Sequence, residues 1–327
     1  MSGDAIIVTG GAGFIGSCFV RKLNQAGENE LLIVDAAGAD SDWGNLAGKQ
    51  YRDYLDKKDF IKQIAAEKLT VPVKALFHIG ACSSTTEQNA AYLAENNLEY
   101  SKTLANWALR HNVPFFYASS AATYGDGAQG YSDAEKVIPA LKPLNLYGQS
   151  KQDFDLWLLE NKLTGRVVGW KYFNVFGPNE YHKGEMRSMV LKGYEQIKRD
   201  GQLRLFKSHR PDYRDGEQKR DFVYVKDVVD LMWEFYRAPG IKGIYNVGGG
   251  LARTWNDLAR AIFTALKLPV KIDYIDMPDI LRDKYQYYTA ADLTKLKKSG
   301  LPVKITPLEA AVDNYIVNYL EKGYARY

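Results

Sequence analysis

The segment YGQSK sets Tyr147 and Lys151 four residues apart, a spacing that puts both side chains on one helix face about one turn apart. A free phenol has a pKa near 10, too high for a base at neutral pH. A nearby ammonium and an oxidised nicotinamide both favour the phenolate. Such a tyrosine can take the proton of an alcohol while hydride leaves the same carbon for the nicotinamide, and Lys151 can also hold the nicotinamide ribose. Alone the pattern is weak, because tyrosine and lysine abound in helices. Just upstream, YASSAATYG follows an apolar run and sets Ser119 and Ser120 at the carboxyl end of a strand, where open α/β sheets bind ligands. Ser120 can hold a substrate hydroxyl, or its keto form, against Tyr147; serines there also cap turns.

These residues need a cofactor beside them, and TGGAGFIG (Thr9 to Gly16) is the candidate cradle. Gly11, Gly13 and Gly16 satisfy G-x-G-x-x-G, with Gly10 as a further permissive position. The strand AIIVTG precedes the motif, and the helical pattern FIGSCFVRKLNQAG follows it and ends at Gly27. That context lifts the motif above a glycine cluster used only for packing. The glycines allow a tight turn and close backbone approach, and the free N–H groups of the helix start face a pyrophosphate. Asp35 ends the next strand, nineteen residues past Gly16, where a carboxylate accepts from the adenosine ribose. By itself Asp35 favours NAD, since it repels a 2′-phosphate, and AAGADSDWGN supplies no Arg or Lys to bind one.

The elements that position these groups alternate. Buried strands are expected at ELLIVD (30–35), VKALFHIG, VPFFYASS and RVVGWKYFNVFG (166–177), with an amphipathic helix at AAYLAENNLEYSKTLANWALRHN. This rhythm predicts an α/β fold, a doubly wound parallel Rossmann sheet with a smaller interleaved substrate-binding domain. The expected dinucleotide-binding domain is 1–175 with a returning segment at about 218–247; 176–217 and 248–327 form the substrate-binding domain. In the second half, DFVYVKDVVDLMWEFYRA reads as a strand fragment and a helix, and GIYNVGGG as a strand ending in a glycine turn.

Composition narrows the function class. The 327 residues are 46% hydrophobic and 25% charged, with a net charge of +4. That excess is too small and too dispersed for a nucleic-acid partner; SHRPDYRDGEQKRD mixes both signs and reads as a polar loop. Cys18 and Cys82 are the two cysteines, and with no C-x-x-C pair they predict neither a disulfide framework nor a zinc site. No metal is expected. The opening residues lack a signal-peptide pattern, and no stretch approaches the roughly 18 apolar residues of a membrane span. No membrane partner and a cytoplasmic location are expected.

Together TGGAGFIG, the Ser120 segment, YGQSK, YFNVFGP and RDFVYVKDVV resemble the extended short-chain dehydrogenase/reductase family along almost the whole chain. GACSSTTE, ENNLEYSK, KPLNLYGQSK, YFNVFGPNEYHKGEM and KYQYYTAADL are similar to its ADP-L-glycero-D-manno-heptose 6-epimerase branch. The resemblance implies an isomerase that inverts the exocyclic C6 of ADP-D-glycero-D-manno-heptose for lipopolysaccharide cores, through a transient ketone. It implies one bound NADP or NAD per subunit, regenerated at each turnover. It also implies a nucleotide-sugar substrate and a homo-oligomer, a pentamer in form. If cofactor and base stay fixed, the sugar rotates within the site to present its other face. The resemblance assigns the two acid/base roles to Tyr147 and Lys183; read alone, Lys183 is a solvated loop lysine. It places cofactor contacts at Phe14, Ile15, Asp35, Lys57, Ile79, Gly80, Ala81, Cys82, Ser83, Asn96, Tyr147, Lys151 and Val175. Substrate contacts fall on Ser120, Asn174, Phe206, Arg220 and Tyr285. Arg220 suits a diphosphate, and by itself is an ordinary surface arginine.

The sequence departs from the branch in four places. No lysine follows Asp35, Glu185 stands where the family has serine, Lys192 where it has histidine, and the segment before Arg220 is longer and more charged. Ala121 and Ala122 replace the Asp-Glu pair of the family's dehydratases, which argues against elimination of water. Another nucleotide-sugar epimerase, such as a UDP-sugar 4-epimerase, remains the alternative and needs no second base like Lys183. A non-catalytic dinucleotide-binding regulator is the other alternative, and such proteins often lose the tyrosine or the lysine.

Overall fold

The computed structural model of the chain describes residues 3–36, 43–282 and 285–327. The first strand, β1 (Ala5–Thr9), is buried along its whole length, as expected of an apolar run covered on both faces. Next come α1 (Phe14–Gln25), β2 (Leu31–Asp35), β3 (Asp53–Asp56), α2 (Lys57–Ala65) and β4 (Val73–His78). The expected amphipathic helix follows as α3 (Ala90–Leu93), a π-helical stretch Ala94–Glu99 and α4 (Tyr100–Arg110). Then β5 (Phe115–Ser120), α5 (Leu146–Glu160) and β6 (Val167–Tyr172) complete the first half.

The later elements are β7 (Asn174–Phe176), α6 (Met189–Asp200), β8 (Leu203–Phe206), β9 (Lys219–Tyr224), α7 (Val225–Arg237) and β10 (Gly243–Val247). They are followed by β11 (Ala252–Thr254), α8 (Trp255–Ala265) and β12 (Ile272–Ile275).

Seven strands form one sheet in the order β10-β6-β5-β4-β1-β2-β3, and every neighbouring pair is parallel. This is the doubly wound arrangement read from the sequence. Alternation along β1 shows how it is covered. Ile6 and Val8 pack with Phe19 and Val20 of α1 and Val228 of α7. Ile7 packs on the other side with Phe60 of α2, Leu104 of α4 and Leu158 of α5.

The first half departs from the expected elements in two places, and in the second half β8, β11 and β12 are additional. The run 166–177 is not one strand: Phe173 interrupts it, its N–H bonding Val247 O at 3.0 Å. The chain leaves the main sheet there, and β7 pairs with β9, which pairs in turn with β11. The strand β3 is also additional. Its residues Asp53, Tyr54, Leu55 and Asp56 are not buried, so an edge strand of mixed polarity carries no apolar run to mark it. Among the described residues no helix is long and apolar enough to cross a membrane, and no group of three or more metal-ligating side chains converges. Both cysteines are free.

Candidate active site

A cavity of about 1000 Å³ opens at the carboxyl ends of the sheet strands, walled by Thr9 and Gly10 after β1, Asp35, His78, Ser120 and Tyr172. The glycines of the first turn have separate tasks. Gly10 has φ +69°, and a Cβ there would sit 2.5 Å from the Gly80 backbone. A Cβ on Gly16 would lie 2.0 Å from Gly10 O, so only glycine lets α1 close onto the turn. Gly11, counted among the cofactor residues from the motif, is not on the cavity wall; its α-carbon faces the Ile33 side chain instead.

The residues present fit a dinucleotide. No side chain caps α1 at Gly13, and its first turn holds no acid, which leaves N–H groups for a pyrophosphate. The Asp35 carboxylate accepts from Ala12 N at 2.9 Å and Ala36 N at 2.8 Å, and each oxygen keeps lone-pair capacity for ribose hydroxyls. Lys57 donates to Asn96 Oδ1 at 2.8 Å. Of the AAGADSDWGN stretch, which lacks a cation for a 2′-phosphate, residues 37–42 lie outside the described residues.

Ile79, Gly80, Ala81, Cys82 and Ser83 form the next part of the wall, with Asn96 and Val175. A buried residue missed from sequence, Asn97, holds this wall: it accepts from Cys82 N at 2.9 Å and donates to Cys82 O and Ser150 Oγ, each at 3.0 Å. It lies in the π-helical stretch, and such bulges often mark sites; nothing in the local pattern distinguishes it from its neighbour Asn96.

Tyr147, Lys151 and Ser120 come together as the spacing predicts. Tyr147 and Ser120 share one wall of the cavity, and Ser120 Oγ accepts from Ala122 N at 3.1 Å. Burial raises the phenol's pKa, with the Ser120 side chain opposing. Lys151 points instead to Ala118 O at 2.8 Å, and its ammonium is lowered to about 8 by burial, with the charge of Asp155 opposing. Behind this set, Lys171 and Asp155 form a fully buried ion pair at 2.6 Å. Asp155 also accepts from Tyr117 OH at 2.8 Å and Ser119 Oγ at 2.7 Å, and Lys171 donates to Thr123 Oγ1 at 2.7 Å. His78 bonds Thr9 and Ser101 through both ring nitrogens, and burial lowers its pKa to about 3.

Lys183 lines the cavity from the loop after β7, its Nζ 5.5 Å from the centre of the Phe14 ring. Burial lowers its pKa, and the charge of Glu180 opposes that. Asn174, Arg220 and Tyr285 also reach the cavity, whereas Phe206, expected as a substrate contact, is absent from its wall; its ring meets the Tyr285 ring edge-on at 6.5 Å. Arg220 is not a surface arginine. It is 7% exposed, pairs with no carboxylate among the described residues, and sits 5.6 Å and 5.0 Å from the Trp255 and Tyr285 ring centres. Trp255, another residue missed from sequence, donates to Tyr285 OH at 2.7 Å. At the rim, Glu185 and Lys192 face each other at 3.0 Å.

A parallel sheet in this order, with a phosphate-binding turn after β1 and a Tyr-x-x-x-Lys helix beside β5, defines the scaffold of a short-chain dehydrogenase/reductase. The chain belongs to the NAD dependent epimerase/dehydratase family, whose model matches residues 6–248. A nicotinamide dinucleotide is therefore its cofactor. The chain is 50% identical over 315 residues to an ADP-L-glycero-D-manno-heptose-6-epimerase of Nitratidesulfovibrio vulgaris, covering 96% of this chain and 97% of that one. It is 44% identical over 327 residues to the protein of that name from Fusobacterium nucleatum, covering 97% and 98%. The crystal structure of the Helicobacter pylori ADP-L-glycero-D-manno-heptose-6-epimerase superposes with a TM-score of 0.80 at 27% identity, over 97% of this chain and 96% of that one.

Proposed function

We propose that this chain inverts C6 of ADP-D-glycero-D-manno-heptose to give ADP-L-glycero-D-manno-heptose, through a 6-keto sugar, for lipopolysaccharide core heptose. The observation that carries the reading is that two proton-handling side chains, Tyr147 and Lys183, line one cavity from different elements, in a chain half identical to a protein of that name. Ser120 holds the C6 oxygen and Tyr147 takes or returns its proton. When bound, the nicotinamide supplies a reversible acceptor for the C6 hydride. Arg220 grips the diphosphate through its uncompensated charge, so the heptose end can turn while the nucleotide end stays. Lys183 then serves the oxygen in the turned orientation.

In this reading the cofactor is NAD or NADP, one per subunit, and Asp35 favours NAD. Residues 1–175 with the return at about 218–247 form the cofactor domain, and 176–217 with 248–327 the substrate domain. Membership of β10 in the main sheet supports that return, although β9 joins the smaller sheet. The chain acts as a cytoplasmic homo-oligomer, a pentamer. The test is to incubate the purified protein with ADP-D-glycero-D-manno-heptose, without added cofactor, and follow C6 configuration by NMR. Inversion without net oxidation is expected. No inversion by protein that carries its dinucleotide overturns the reading. Near-normal turnover by Lys183→Ala overturns the two-base assignment.

A further inference from the structure

Between β7 and α6 the chain makes one loop, 177–188, whose first four residues are buried and whose remainder, 181–188, is exposed or half-buried. Asn179 is 0% and Glu180 1% exposed. The Asn179 side chain donates to Ser17 Oγ of α1 at 2.9 Å. Glu180 turns its carboxylate inward and bridges the loop's two ends. It accepts from Gly177 N at 3.3 Å at the start, and from Ser188 Oγ at 2.7 Å and Ser188 N at 2.5 Å at the finish. Ser188 is itself the N-cap of α6. Three donors on two carboxylate oxygens favour the charged form against the burial that raises its pKa.

The groups packed around this carboxylate leave its charge one partner. From α1, the Cys18 thiol is pushed by burial up to about 12. Tyr181 on the loop and Tyr315 on the Leu308–Tyr315 helix are both held neutral by raised pKa values. Among the described residues Lys183 is the cation that acts on it, without direct contact, and Glu180 is the charge that acts on Lys183. The remaining loop acid, Glu185, faces Lys192 instead.

We propose that Glu180 is the positioning residue of Lys183: its carboxylate closes the loop that presents the lysine to the cavity, and it stands one turn of chain before the lysine, whose N–H bonds Glu180 O at 3.1 Å. This rests on the two-base reading above. Without the bridge the loop keeps its ties at Asn179, from Tyr181 OH to Ala325 O and from Arg187 to Glu195, but its start and finish are no longer drawn together. The stretch between them that carries Lys183 then shifts, and misplacement by about 1 Å can reduce a rate about a hundredfold. Without the charge, burial acts on Lys183 unopposed and the neutral amine gains.

Competitive acetylation with acetic anhydride across a pH series, read at the Lys183 peptide by mass spectrometry, reports the titration of this lysine with no substrate or turnover. In Glu180→Gln the Lys183 profile moves to lower pH, and its labelling near neutral pH rises severalfold. The Lys183 limb of the kcat–pH profile moves the same way, with KM little changed. Glu180→Asp keeps the charge but is one methylene too short to reach both ends of the loop. It keeps the wild-type labelling profile and loses about tenfold in kcat, and it tests the bridge if Glu180→Gln does not fold. A Lys183 labelling profile in Glu180→Gln that overlays the wild type, or undiminished kcat in Glu180→Asp, overturns the proposal. Near-normal turnover by Lys183→Met overturns the two-base reading instead, and the labelling experiment still decides whether Glu180 governs the lysine.

Discussion

Replacing Lys171 by Met tests the buried ionic support behind the Tyr147 set. Methionine nearly matches the lysine stem in length, so the cavity left is small and the change is mainly loss of charge. Asp155 would keep its bonds from Tyr117 and Ser119 but lose the cation paired with it, in a site where both side chains are 0% exposed. Removing one partner of such a pair destabilises by about 3–5 kcal/mol, because a buried charge is left uncompensated. Adding Asp155→Asn removes that charge, and the double variant should regain about 2 kcal/mol over Lys171→Met alone. Urea unfolding at neutral pH, followed by near-UV circular dichroism, reads both values. Asp155→Asn alone has a catalytic signature too. Asp155 is the first of the charges that hold up the ammonium of Lys151 against a burial that has brought it to about 8, so the alkaline limb of turnover should move to lower pH. The reasoning fails if Lys171→Met loses less than about 1 kcal/mol, or if the double variant is no more stable than the single one.

Two further outcomes follow from the same coordinates. In Gly16→Ala the new methyl group would lie 2.0 Å from Gly10 O, so the turn must open; dinucleotide affinity should fall by about 3 kcal/mol, roughly a hundredfold, by isothermal titration, while Gly165→Ala, with nothing within 4 Å of the added carbon, should leave it unchanged. His78 is neutral in the fold, its pKa lowered to about 3. Its contribution to stability is therefore fully present above the unfolded value near 6.5 and declines as pH falls toward 3. Wild-type melting temperature should drop over that window more steeply than that of His78→Gln, and parallel curves would contradict the assignment.

Much of the cofactor half was legible because its signals are local. A strand, a glycine turn and a helix lie within some twenty residues, and the i, i+4 spacing of Tyr147 and Lys151 determines a shared face once the helix is recognised. What escaped depends on distance or on edge position. Phe173 breaks an apolar run that looks continuous, and only the tertiary bond to Val247 reveals the change of sheet. Gly11 belongs to the motif yet serves packing against Ile33, a distinction that pattern cannot carry. The Lys171–Asp155 pair joins β6 to α5, and the aromatic rings around Arg220 arrive from two later segments, so neither leaves a spacing to read. The depth of burial that raises the Tyr147 phenol is likewise a property of the assembled cavity, which an i, i+4 spacing does not carry.

The interruption at Phe173 also constrains how the molecule can breathe. Lys171 and Tyr172 belong to the rigid floor, while Asn174 and Val175, two and three residues on, already form the opposite bank. The two banks are joined at Phe173, whose amide is tied to Val247 O, and again where β9 of the smaller sheet runs directly into α7 on the main one. A jaw-like swing about Phe173 would have to strain the second join as well. The cavity between the banks is also walled by segments that belong to neither sheet, His182 to Ser188 of the loop after β7 and the strip from Tyr285 to Thr289, so part of its wall can shift without either bank.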